Sequence, residues 1–154
     1  KLIKNQIMKK ILFLAVIVRT AFTSIQAQEF KVITIVESIV PMGVGRSRII
    51  GHQEPADYTE FTTERTDGKK SKQKGVKRSE AKIGKFSETK LLNFYSGVGI
   101  NFQNIASNDA LISSKINEMV SNGWKLTYVT SAVESNAGKG DGKGIFITRL
   151  YFSK

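Results

Sequence analysis

One stretch, residues 107–133, limits what this chain can fold into, because helix signals run directly into strand signals across Gly123-Trp124. Ser107, Asn108 and Asp109 offer an N-cap acceptor and a first-turn negative charge, where a helix has orphan N–H groups. Ile112, Ile116, Met119 and Val120 recur at helical spacing between Ser113, Ser114, Lys115, Asn117 and Glu118, which predicts a helix over 108–122 with one apolar stripe. Gly123 suits the left-handed position just past a helix end, and Trp124 can fold back onto Met119. Beyond it, Trp124, Leu126 and Tyr128 alternate with Lys125, Thr127 and Val129, predicting a strand over 124–134. An indole placed directly after a helix-ending glycine points to the core, where its burial contributes about 2–3 kcal/mol.

The remaining elements are arranged around that nucleus. Residues 29–40 predict a first strand, with Val32, Ile33, Ile35 and Val36 apolar on both faces, as in a central strand; Pro41 ends it. Residues 58–64 predict a strand, with a turn at Asp67-Gly68. Residues 90–96 are consistent with a strand or a short helix. Leu92-Asn93, Gly99-Ile100 and Phe102 repeat the spacing of Ile116-Asn117, Gly123-Trp124 and Leu126, but two copies are too few for a solenoid. The Gly-rich segment 135–144 predicts a long hairpin tip. It departs from a phosphate loop, since Gly144 follows Lys143 and a strand comes next, and one aspartate does not make a calcium loop. Residues 145–152 close the domain as a strand, with Phe146, Leu150 and Phe152 on one face. The expectation is one small α+β domain: an antiparallel or mixed sheet of about four to five strands, one main helix on one face, and a hairpin of the last two strands.

A resemblance follows from these residues. Phe30-Lys31-Val32-Ile33, then Ile116-Asn117 with Gly123-Trp124-Lys125-Leu126 and Val129, then Phe146-Ile147-Thr148-Arg149, resemble a group of short bacterial domains of unknown function. Their pattern is an aromatic-Lys-Val-Val strand, a helix ending in Gly-Trp-Glu-Leu-Val, and a last strand with a basic residue. The chain after residue 27 is also similar to small secreted proteins of unknown function from Bacteroidetes-type bacteria. Lys125 departs from the acidic residue of that pattern, as does the long separation of first strand and helix. The resemblance implies a fold and supplies no activity.

The 154 residues suffice for one domain. Lys9 and Lys10, the apolar run 11–18 and a stretch ending at Ala27 have the layout of a secretory signal peptide. Residues 1–27 are therefore expected to be an upstream extension plus signal peptide, with Met8 as start. Cleavage near Ala27 would leave a periplasmic or secreted domain, 28–154, with no transmembrane span. The chain has no cysteine, which excludes disulfides and thiolate metal sites. The net charge of +11 is uneven, because residues 65–90 hold ten basic and three acidic side chains. That segment predicts a solvated, mobile basic loop.

No spacing marks a catalytic centre, a metal or a cofactor, so the expectation is a non-enzymatic binding module for an unknown envelope protein or an anionic surface. Two basic clusters carry the anion-binding candidates. Arg46, Ser47 and Arg48 follow two flexible glycines, where guanidinium forks and backbone N–H groups can cradle a phosphate or carboxylate. Lys69, Lys70, Lys72, Lys74, Lys77 and Arg78 form the second cluster, suited to an anionic polymer or lipid headgroups through counterion release. Only Phe86 comes close as a stacking aromatic, which argues against specific nucleic-acid reading. His52 with Glu54 and Asp57 offers the weakest alternative, a hydrolase-like site, since one imidazole and two carboxylates match no metal or triad pattern.

Overall fold

The structure, a computed structural model, describes residues 5, 6, 8–10, 28–39, 46–96, 98–134 and 144–154. The expected signal peptide and Gly-rich tip lie largely outside them, as do Pro41 and the glycines before Arg46. Five strands form one antiparallel sheet: β1 (Phe30–Ser38), β2 (Arg48–Gln53), β5 (Phe86–Lys90), β8 (Lys125–Val133) and β9 (Ile145–Ser153), in the order β5-β2-β1-β9-β8. Two-residue strands make two small hairpins, β3 (Arg65–Thr66) with β4 (Lys70–Ser71) and β6 (Tyr95–Ser96) with β7 (Gly99–Ile100). One helix, α1 (Phe102–Ser121), packs on one face of the large sheet. The α+β class, the single helix-covered face and the β8–β9 hairpin are those expected from the sequence.

Strand β1 is central, which explains its apolar residues on both faces. Its register places Ile33 opposite Leu150 and Ile35 opposite Ile49, all buried beneath the helix. Val32 and Val36 point to the other face and are half-buried. The core joins Ile33, Ile35, Ile49, Leu150 and Phe152 of the sheet to Met119, Trp124 and Leu91, with Ile112, Ile116 and Leu126 packed against them. Phe152 is 0% exposed and stands opposite Leu126, so the end of β9 locks the start of β8 into the core.

Helix α1 ends as expected. Asn122 is its C-cap, Gly123 has φ +83°, its N–H donates to the Val120 carbonyl (2.9 Å), and the Trp124 N–H donates to the Met119 carbonyl (3.0 Å). This pair of bonds is the Schellman ending.

The start of α1 differs from the expectation by two turns. The N-cap is Asn101, whose side chain accepts from the Asn104 N–H at 3.1 Å. Its first two turns turn Asn104 and Asn108 toward the sheet, where hydrogen bonds take the place of apolar contact, so the apolar stripe begins only at Ile112. Val120, at the other end of the expected stripe, is exposed.

Two further expectations shift. Residues 58–61 form a 3-10 turn instead of a strand, because the Asp57 side chain accepts from the Thr59 N–H and hydroxyl (2.9 and 2.7 Å) and so closes a local turn. The Asp67-Gly68 turn is present, with both φ values positive, and β3 and β4 flank it. Residues 91–96 and 98–101 form a loop and two short paired strands, so the spacing shared with 116–126 does not build a second helix-Gly-strand unit.

Candidate functional site

The two basic clusters meet different fates. Arg46 is exposed, while Ser47 is almost completely buried. The Ser47 hydroxyl accepts from the Ser38 N–H (3.0 Å) and donates to the Asn93 side chain (2.6 Å), and its carbonyl accepts from the Leu91 N–H (2.9 Å). These bonds belong to a polar knot beneath α1. There the buried Asn108 accepts from the Leu92 N–H (2.8 Å) and donates to the Leu92 carbonyl (2.7 Å) and to Glu37 (3.2 Å). Arg48, next along β2, turns to the helix-free face, forms a salt bridge with Glu88 of β5 and donates to the Arg46 carbonyl (3.4 Å). Arg46, Ser47 and Arg48 therefore do not converge on one anion: Ser47 serves the fold, and Arg48 ties β2 to β5.

The second cluster stays together on the excursion that links β2 to β5. Lys69, Lys70, Lys72, Lys74, Lys77 and Arg78 are all exposed, and no residue from 54 to 90 is buried. Local bonds organise this segment: Gln73 donates to the Phe61 carbonyl (3.3 Å) and the Thr63 hydroxyl (3.0 Å), and Lys77 pairs with Glu80 (3.4 Å). The base of the excursion is clamped by Glu54, whose carboxylate accepts from the Gly84 and Lys85 N–H groups, both at 3.2 Å.

The carboxylates beside His52 are thus occupied by backbone, Glu54 as that clamp and Asp57 as the cap of the 3-10 turn. The Thr59 hydroxyl, and then its N–H, hold the Asp57 carboxyl below its ordinary pKa by bonding the charged form. His52 lies on β2, and its side chain is outside the described atoms. Among the described residues, no group of three His, Cys, Asp or Glu side chains is placed to hold a metal ion.

Sequence reasoning missed a cavity of about 400 Å³ where the end of α1 meets the sheet, lined by Lys31, Lys115, Glu118, Asn122, Trp124 and Lys154 among others. The Lys31 ammonium lies 4.3 Å from the centre of the Trp124 ring and that of Lys154 lies 5.9 Å away. Lys154 also donates to the Asn122 carbonyl (3.0 Å), and Lys115 pairs with Glu118 (2.9 Å). Two cations thus close over an otherwise buried indole and hold the helix end to β9. No spacing signal could have found this, because the three lysines lie on three separate elements.

The helix-free face of the sheet carries the largest exposed aromatic groups of the strands. Phe30 is 62% exposed and Tyr128 is 64% exposed. Tyr128 leans on Tyr151 with ring centres 5.9 Å apart, and Val32, Val36, Ile50 and Ile147 lie half-buried on the same face. Tyr128 reaches this face through a β-bulge between Leu126 and Tyr128, which breaks the expected alternation by one residue. Among the described residues, no helix is long and apolar enough to cross a membrane. No protein-family model matches the chain, and neither a curated protein nor a solved structure matches it.

Proposed function

We propose that the protein is a non-enzymatic binding module, exported after loss of a signal peptide ending near Ala27, that engages an envelope protein through the helix-free face of its sheet. The supporting observation is the exposure of Phe30 and Tyr128 on a face where the half-buried Val32, Val36, Ile50 and Ile147 make an apolar floor. Aromatic groups on an apolar floor with a polar rim are the usual anchors of protein–protein contact. The Arg48–Glu88 pair supplies a polar rim on the β5 side, and Arg149, opposite Thr34 and Thr130, adds a charge within the face. The resemblance to small secreted bacterial proteins is consistent with this reading.

The test is a photo-crosslinking side chain at position 30 in cells of the native host, with N-terminal sequencing of the protein from the envelope fraction. The expected result is a chain starting at Gln28 and one discrete adduct that a probe at the exposed Ser114 does not give. Equal adducts from both positions, or a chain retaining Lys9 and Lys10, would count against it.

A second reading is favoured by a separate observation, the exposure of all six cations from Lys69 to Arg78. In it the excursion binds an anionic polymer or lipid headgroups. Binding to a sulfated polymer should then weaken steeply with salt and disappear when the six are changed to Ser. Salt-insensitive binding would rule it out.

A further inference from the structure

The two edges of the large sheet are built differently. β5 is five residues long and carries Glu88 and Lys90, the kind of short, charged strand that discourages further pairing. β8 has nine residues, Lys-Leu-Thr-Tyr-Val-Thr-Ser-Ala-Val, with a charge only at its first position. Among the described residues nothing pairs with its outer side, and Tyr128, Val129 and Val133 are exposed along it. Such an edge is a template for another strand.

The distribution of side chains selects the strand that fits. Counting from the register with β9, Leu126, Val129, Ser131 and Val133 lie on the helix-covered side of the sheet, and Lys125, Tyr128, Thr130 and Ala132 lie on the other. Glu134, whose N–H donates to the Ile145 carbonyl (2.9 Å), continues the second set. A two-fold axis perpendicular to the sheet preserves both faces, so opposed residues must come from the same set.

With the axis at Thr130, Val129 meets Ser131 of the second copy and Tyr128 meets its Ala132. The bulge then sets Leu126 and Thr127 together against Val133 of the second copy, two residues against one, as a bulge requires. One step further, Lys125 stands opposite Glu134 on the same face, at both ends of the paired strands. Moving the axis by one residue to Ser131 takes Lys125 past Glu134. The bulge, which without a partner would only blunt the edge, is what brings the two charges into register.

We infer that β8 is a self-association edge, pairing antiparallel with β8 of a second copy about Thr130 to make a ten-stranded sheet. This edge shares Tyr128 with the face assigned to the envelope partner, but the two readings fail separately, since the probe at position 30 lies on β1 and the charge reversals lie at the two ends of the β8 pairing.

The test is sedimentation velocity over a range of concentrations on the protein, on Lys125→Glu, on Glu134→Lys and on the double reversal, with circular dichroism to confirm each fold. The expected result is a reversible dimer, weakened roughly 5- to 30-fold by either single reversal and restored by the double, since like charges directly opposite destabilise by about as much as unlike ones stabilise. Because the chain has no cysteine, Thr130→Cys should also form an intermolecular disulfide on mild oxidation, and Ser114→Cys should not. A monomer at every concentration overturns the inference. So does a dimer indifferent to the charge reversals, or one that Thr130→Cys does not crosslink.

Discussion

Asn108 shows how much one polar side chain can carry. Its buried amide accepts from the Leu92 N–H and donates to two acceptors, tying α1 both to the loop after β5 and to Glu37 of β1. Asn108→Ala leaves the Leu92 N–H and carbonyl without that partner in a part-buried site. The expected loss is about 1–2 kcal/mol in chemical denaturation, within the range for orphaned polar groups. Asp109→Ala, one residue on and exposed, should change stability by no more than about 0.5 kcal/mol. At Asp57 the readout is titration. Its carboxyl should titrate below the ordinary aspartate value in a carboxyl-detected NMR experiment, and Thr59→Ala should move it back toward that value. A depressed folded-state pKa means that this turn's contribution is present above the ordinary value and is lost as pH falls through the folded one.

At the scale of the element, the two ends of α1 differ in how they reveal themselves. The C-terminal end is written in Met119, Gly123 and Trp124, whose chemistry admits few arrangements, and the structure follows it bond for bond. Gly123→Ala, forced to keep φ near +83°, should cost about 1–2 kcal/mol in the same denaturation measurement. The N-terminal end escapes periodicity because its inward-facing positions are Asn104 and Asn108, which a hydrophobic pattern counts as solvent-facing. Asn101→Ala should lower stability by about 1 kcal/mol as the true N-cap. Strand β8 presents the same difficulty: strict alternation puts Tyr128 beside Trp124 and Leu126, and one extra residue at the bulge sends it to the opposite face.

For the molecule as a whole, stability and charge are held in separate parts. The buried apolar residues lie on the large sheet, on α1, at Trp124 and at Leu91, whereas the excursion from 54 to 85 buries none of its side chains and carries the excess of basic ones. Replacing residues 57–82 by a short Gly-Ser linker should therefore leave the thermal midpoint within a few degrees, because a shorter closed loop loses less entropy and no core contact goes with it. Circular dichroism melts check this; a large drop in the midpoint would mean that the excursion supports the sheet.

By itself the sequence determined the class of fold, the central first strand, the helix end at Gly123 and the final hairpin. In each of these, local propensity and the pattern of apolar residues pointed the same way. Only the tertiary structure decided where the helix begins, which face Tyr128 occupies, and that Ser47 is bonded inside the fold while the lysines of 69–77 remain outside. Those outcomes rest on hydrogen bonds between residues far apart in the chain, Ser47 with Asn93 and Asn108 with Leu92 and Glu37, and on a bulge in the pairing of β8 with β9. A polar side chain looks alike in sequence whether it meets water or a buried partner. The partner exists only once the chain has closed.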